Sequence, residues 1–320
     1  MGGHTLTRRE GTQRSGVAWF GPYAPDESAE LARWGRSVGP PVVRAAPSTT
    51  SSLGDTLTVI SWNIALGGGD VVRLVRTVRE QIGADAPLVL LLQEAYRGGR
   101  EVPTLLGSDS RVAGRLRGTM PNGGREDITR VADQLQLALC YVPSMRNGSP
   151  SESDEDRGNA ILSNLPLDDV AAIELPFERQ RRVAVAASVA GFTSRGAPWT
   201  VRLVSAHLDN RVGARRGWIV GAEYARTRQA RGLVTVLADG TPLVLGGDFN
   251  TWFGFSDQAY FETQRAFPQT RVHDRRATFH GMLRLDHMFF RLPDSWTATF
   301  HRENDRFGSD HYPLTAKIRF

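Results

Sequence analysis

From residue 56 onward the chain is a succession of apolar runs of strand length: "TLTVISW", "PLVLLLQ", "LQLALCYV", "NAILS", "VAVAASVA", "WTVRLVSAHL", "PLVLGG", "LDHMFF" and "YPLTAKIRF". Helical patterns interrupt them in only a few places. Between the first two runs, "DVVRLVRTVREQI" puts Val71, Leu74, Val75, Val78 and Ile82 on one helical face with Asp70 as cap, which predicts a helix over 70–82 and a strand–helix–strand unit. A second helix is predicted over 216–237, where Trp218, Ala222, Ala225, Leu233 and Val236 align before "PLVLGG". The class is therefore α/β. At 320 residues one large two-sheet domain can hold the chain without splitting.

Ahead of this region, "PDESAELARWGRSVGPP" (25–41) predicts a short helix capped by Asp26, with Leu31, Trp34 and Val38 as its stripe and Gly39-Pro40-Pro41 as its stop. "AAPSTTSS" (45–52) reads as linker. Residues 1–52 are expected to be an extension that docks one helix onto a main domain spanning 53–320. The acidic, Ser-rich "NGSPSESDEDRG" (147–158) is expected to be a mobile surface loop. "GGGD" (67–70) lacks the Lys-Ser/Thr of a P-loop and reads better as a tight turn plus cap.

Several classes are set aside by composition. The net charge of +5 and pI of about 9.8 permit an anionic partner without naming it. Lys317 is the only lysine, so 38 of the 39 basic residues are arginines spread along the chain, as a solvated surface would have them. The single Cys140, inside "QLALCYV", excludes an internal disulfide and a thiolate zinc site. No apolar run reaches membrane-spanning length and the N-terminus has no signal-like core, so a cytoplasmic monomer is expected.

The chemistry gathers at the ends of the runs. "TVISWN" finishes at Asn63, "LVLLLQE" at Glu94, and "RLVSAHLDN" at His207 and Asp209. "PLVLGGDFN" finishes at Asp248 and Asn250, "LRLDH" supplies Asp286 and His287, and "FGSDHYPL" places Asp310 and His311 before the last run. In α/β sheets ligands bind outside the carboxyl ends of strands, where groups distant in sequence converge. Asn, Glu and Asp oxygens suit a hard cation such as Mg²⁺, and histidines beside carboxylates can move protons. Together they suit phosphoester hydrolysis, which needs an activated in-line water and neutralised phosphoryl charge. Strand alternation predicts Asp248 and Asn250 on one side, Asp248 orienting or deprotonating water and Asn250 donating its amide to a phosphoryl oxygen. The preceding glycines would let a substrate or another backbone come close.

The ordered set "SWN", "LLQE", "GNAILSNLPL", "SAHLDN", "LGGDFN", "RLDH" and "GSDHYPL" resembles the endonuclease/exonuclease/phosphatase (deoxyribonuclease I-like) superfamily from about residue 56 to 320. The resemblance implies a four-layer α/β/β/α sandwich, two packed mixed β-sheets with helices outside. It also implies one-step hydrolysis that depends on Mg²⁺, with Mn²⁺ as the alternative ion. Glu94 would be the principal metal ligand, with Asn63 and Asp310 nearby. His311 would contact the phosphate with Asp286 as its partner, and His207 would lie across the scissile group. Asn159 and Arg182 would face the substrate phosphate, with Arg181 an equal alternative to Arg182. An amide at 159, where deoxyribonuclease I-like nucleases offer a carboxylate, departs from that subgroup. The leading substrate reading is nucleic acid, gripped by Trp252, Phe253, Phe255 and the arginines of "DNRVGARRG" (209–217). The alternatives are a phospholipid (sphingomyelinase-like) or small phosphoester, and a catalytically silent binding protein on the same fold.

Overall fold

The computed structural model describes residues 6–9, 16–22, 24–46, 53–103, 113–114, 124–147, 154–210, 218–270 and 274–320. The apolar runs become strands of two mixed sheets. Strands β1 (Leu6–Arg8), β2 (Ala18–Pro22), β9 (Asp168–Glu174), β10 (Val183–Phe192), β11 (Pro198–His207), β12 (Leu243–Asp248) and β13 (Asp286–Arg291) lie side by side in that order. The second sheet runs β14 (Thr297–Arg302), β15 (Leu314–Arg319), β4 (Thr56–Asn63), β5 (Leu88–Gly98), β8 (Glu155–Ser163), β7 (Ala138–Asn147) and β3 (Val42–Arg44), with the short β6 (Ala113–Gly114) beside β7.

Alternation along each strand divides the apolar side chains between two faces. Val59, Leu91, Cys140, Ile161, Val185, Leu203 and Val244 meet between the sheets. On the outer face of the second sheet, Ile60, Trp62, Leu90 and Leu162 pack against α2 (Val71–Ile82) and α3 (Ile128–Leu135). The first sheet turns Ala184, Val204, Leu245 and Phe289 toward α4 (Trp218–Val236) and α5 (Gln258–Ala266). Each such leucine, valine or phenylalanine contributes about 1.5–3 kcal/mol on leaving water. The result is the expected four-layer sandwich. Helix α2 follows its pattern closely: Asp70 caps it by accepting from the Arg73 amide, and Val71, Leu74, Val75 and Val78 are buried.

Some local expectations give way. Helix α1 (Pro25–Gly35) starts with Ala24 at the N-cap, and Asp26 sits in its first turn without capping it. The proline, already at a helical φ, sets the start instead. The extension also adds β1 and β2 to the edge of one sheet and β3 to the edge of the other. Strand β8 already begins at Glu155, inside the segment expected to be a loop. Asp156 is buried there, accepting from Tyr141 Oη (2.8 Å), the Gly39 amide (2.8 Å) and the Arg97 guanidinium. The polar appearance of 147–158 concealed a paired interior carboxylate; residues 148–153 lie outside the described residues.

Asp274 braces the approach to β14. It accepts from Arg276 and from the Arg302 amide (2.8 Å), and these bonds, the Arg276 guanidinium first, hold its carboxyl well below the usual carboxylate range. A depressed folded pKa gives stability that is complete above the unfolded value and is lost as pH falls through the folded one. Asp274→Asn is therefore expected to lower Tm by roughly 2–4 °C near pH 7, and the gap from wild type should close as the pH drops below about 4. Thermal melts across pH check this; a gap constant down to pH 2 contradicts it.

Candidate active site

Three neighbouring strand ends of the first sheet set up the centre. Asp248, the last residue of β12, is paired in register with His207 at the end of β11 and with Asp286 at the start of β13. Opposite them, β4 ends at Asn63, in register with Gln93 of β5. The β5–β8 pairing slips between Leu92 and Ala95, and Glu94 sits in that irregularity with φ +52°. A bulge of this kind bends the strand and re-aims one side chain.

The sheets can approach here because Gly246 carries no Cβ, while Gly247 lets β11 come close within the same sheet. A Cβ at 246 would lie 2.8 Å from that of Ser61, and one at 247 would strike the Ala206 carbonyl. Of the two occupants the sequence allows for these glycines, Gly247 meets a neighbouring backbone, and Gly246 meets the Ser61 side chain of the other sheet.

Asp248 is the hub. Its Oδ2 accepts from Asn63 Nδ2 (2.9 Å) and lies 3.4 Å from His207 Nε2 and 3.8 Å from His311 Nε2. Its Oδ1 accepts from the Asn250 amide N–H (2.9 Å). Burial, then the neighbouring Asp286, pushes the Asp248 carboxyl above the usual carboxylate range, against the opposing pull of His311. His311 Nδ1 is 2.8 Å from Asp286 Oδ2. Burial works against its positive charge, but Asp286, Asp248 and Asp310 outweigh it and hold the imidazole's affinity for a proton well above normal. Ligand-type atoms of Asp248, Asp286 and His311 lie within 4.8 Å of one another, so this buried group could hold a metal ion. The buried Asp286 Oδ1 has no hydrogen-bond donor among the described residues.

A narrow cavity continues from this centre. It is lined by Glu94, Asn159, Arg182 and His207, with Met145 and Arg157 completing its walls. Of the two candidate arginines, Arg182 lines it. Arg181 is committed elsewhere, to Glu174 Oε1 (2.7 Å) and the carbonyls of Pro143 and Ser144. Asp310 is less buried than its neighbours, with Oδ1 3.8 Å from His311 Nε2.

Two sequence expectations need correction. Strand β12 stops at Asp248, and Asn250 has φ +51°, a left-handed conformation that asparagine tolerates, so alternation does not relate the two side chains. They are neighbours because the Asn250 amide N–H bonds to Asp248, while Asn250 Nδ2 donates to the Leu208 carbonyl (3.0 Å). Asn159 lines the cavity, but its Nδ2 donates to the carbonyls of Val183 (2.8 Å) and Ser205 (3.4 Å). It ties β8 to the other sheet instead of offering a donor to phosphate.

Sequence reasoning also passed over residues that orient the site. Ser309 donates to the Asn63 carbonyl (2.7 Å) and accepts from the His311 amide (3.0 Å), and Trp62 Nε1 donates to the His311 carbonyl (3.0 Å). Both stand inside quoted motifs, "GSDHYPL" and "SWN", which was the available signal. His287, next to Asp286, is held neutral by burial and by the nearby Arg284, and bonds to Thr251 Oγ1 (2.7 Å). The aromatic cluster divides: Phe255 packs on Tyr260 and His287, whereas Trp252 and Phe253 are 46% and 48% exposed. Residues 211–217, with the arginines of that stretch, lie outside the described residues.

Residues 60–311 match the family model described as the endonuclease/exonuclease/phosphatase family. The chain belongs to that family. Among solved structures, an endonuclease/exonuclease/phosphatase from Beutenbergia cavernae shares the fold with a TM-score of 0.55 at 18% identity, over 83% of this chain and 72% of that one. A family protein from Leptotrichia buccalis gives 0.55 at 15% identity, over 82% of this chain and 100% of that one. The 3′ phosphatase NExo from Neisseria, bound to a product DNA hairpin, gives 0.51 at 17%, over 82% and 100%. No curated protein matches the sequence. As an endonuclease/exonuclease/phosphatase protein the chain is a phosphoester hydrolase, of a family that uses divalent metal. No helix among the described residues is long and apolar enough to cross a membrane.

Proposed function

We propose that this family member hydrolyses phosphodiesters of nucleic acid by direct attack of water. The observation that carries the reading is the row of His207, Asp248 and Asp286 on adjacent strand ends, with His311 bonded to Asp286 and facing Asp248. Asp248, its proton affinity raised by burial, accepts the proton of the attacking water. His311 keeps its proton and donates to a phosphoryl oxygen, while Asp286 fixes the imidazole orientation. His207 and Arg182 meet the phosphate from the cavity side, and Asn250 holds Asp248 through its backbone amide.

Protonated His311 already supplies a cation between Asp248 and Asp286. Glu94, Asn63 and Asp310 supply the hard oxygen donors that would hold a divalent ion. Bound there, it would neutralise phosphoryl charge as a Lewis acid. Support for nucleic acid comes from Trp252 and Phe253, half-exposed and separated from Asn250 only by Thr251, where bases can stack. The DNA-bound relative on the same fold agrees with that choice.

The test is ³¹P NMR of purified protein with Mg²⁺ and DNA, RNA, sphingomyelin and phosphatidylcholine micelles or inositol phosphates. Nucleic acid is expected to be converted, chelation should stop the reaction, and Glu94→Ala should raise the Mg²⁺ needed. Conversion of lipid or inositol phosphate instead overturns the substrate assignment. No conversion under any divalent ion points to a silent binding protein.

A further inference from the structure

The cleft has a direction. Contacts across the two sheets order it: Asp286 and His311 at one end, then Asn63 bonded to Asp248, then Gln93 of β5 bonded to Ser205 of β11 (3.0 Å), then Asn159 of β8 bonded to the Val183 carbonyl of β10. Arg182, just before β10, and Met145 of β7 follow. Beyond them stands α1, which with Gly39 and Pro40 lies outside the family-matched residues 60–311.

This helix is bound to both sheets. On one side Glu27 accepts from Arg228 Nη2 of α4 (2.9 Å) and from the Phe177 amide. On the other, the Gly39 amide donates to Asp156 of β8 and Arg97 Nη1 of β5 donates to the Pro40 carbonyl (2.8 Å each). In between, Trp34 is 4% exposed and packs with Met145, a wall of the Glu94–His207 cavity, and with Phe177 at 5.9 Å between ring centroids. Gly35 lies over the Arg181 guanidinium, which grips β7 through its carbonyls. Charge-assisted bonds at both ends and a buried indole in the middle make a rigid barrier. The half-exposed Trp252 and Phe253 follow Thr251, which bonds to the Arg284 carbonyl and to His287, so they stand at the Asp286 end.

We infer that the N-terminal segment is the end wall of the cleft and limits the enzyme to phosphoesters at or next to a chain terminus; this rests on the nucleic-acid reading above. A strand whose bases stack toward Trp252 and Phe253 runs past Asp248 and His311 and must stop before α1. A strand that continues in both directions collides with α1, which the buried Trp34 and the segment around Gly39 hold in place.

The test compares a linear single-stranded DNA with a covalently closed circle of the same sequence, using the full chain with Mg²⁺. Wild type is expected to hydrolyse the linear strand at least about a hundredfold faster, the scale of loss when a substrate is held out of line. Trp34→Ala and Glu27→Ala, checked for folding by circular dichroism, should each raise the circle-to-linear ratio about tenfold, since a mobile wall lets a continuous strand reach the same positions. Glu27 is on the partly exposed side of α1, so its variant keeps the test open if Trp34→Ala does not fold. A wild type that cuts the circle as fast as the linear strand overturns the wall and leaves the nucleic-acid reading standing. Folded variants with an unchanged ratio also overturn it. If wild type cuts neither DNA, the nucleic-acid reading fails and the wall falls with it.

Discussion

Replacing Asp248 with alanine is expected to lower turnover by at least about a hundredfold, the usual loss when a general base is removed. The carboxylate sits where its neighbours give it that role: Asn63 and the Asn250 amide orient it, while burial raises its proton affinity toward working range. Folding should survive. The change leaves two donors without their acceptor, at about 1–3 kcal/mol each, but it also removes a carboxylate whose ionised form burial opposes. Asp248 is at a strand end outside the apolar layers, so no large cavity opens among them. Steady-state kinetics with saturating Mg²⁺ beside a thermal melt decide the matter. Near-normal turnover removes Asp248 from the mechanism, whereas a collapsed melting transition assigns it a structural role.

His311→Ala should cost a similar factor of about a hundred or more, because it removes the donor aimed at the phosphoryl oxygen. Asp286 acts through His311, by its 2.8 Å bond to Nδ1, so Asp286→Asn should cost less. The double variant should be little worse than His311→Ala alone, since residues that act as a unit are not additive. Full additivity would mean that Asp286 has a second role, and its Oδ1, which has no donor among the described residues, is the atom that would carry it. Measuring kcat for the wild type, both single variants and the double variant separates the two cases.

Part of the fold and of the site is legible in the order of residues alone. A helix such as α2 is dictated by neighbours in sequence: the apolar stripe of Val71, Leu74, Val75 and Val78 and the Asp70 cap act within a few residues. Strand-end chemistry is legible for a related reason. A polar residue that bounds an apolar run marks a strand end, so Asn63, Glu94, His207 and Asp248 identify themselves by where hydrophobicity stops and Asp286 by where it begins. What they do to one another is not in the pattern.

Distance-dependent features come only from the folded chain. Arg181 and Arg182 are equivalent in sequence and both precede β10, so no strand pattern separates them; in the folded chain one turns to Glu174 while the other lines the cavity. Asn250 is positioned by a left-handed turn and a bond to Asp248, which strand alternation could not anticipate. The acidic stretch at 155–158 has the composition of a solvated loop, yet Arg97, 59 residues away, pairs with Asp156 inside the protein.

The same division holds for the whole protein. By itself the sequence determined the α/β class, the family and the residue types gathered at the strand ends, because these follow from local periodicity and from motifs a few residues long. The tertiary structure alone decided which groups face one another, that burial raises the proton affinity of Asp248 while its carboxylate neighbours raise that of His311, and that α1 stands across the end of the cleft. Those depend on through-space separation and dielectric environment, which a one-dimensional order of residues does not contain.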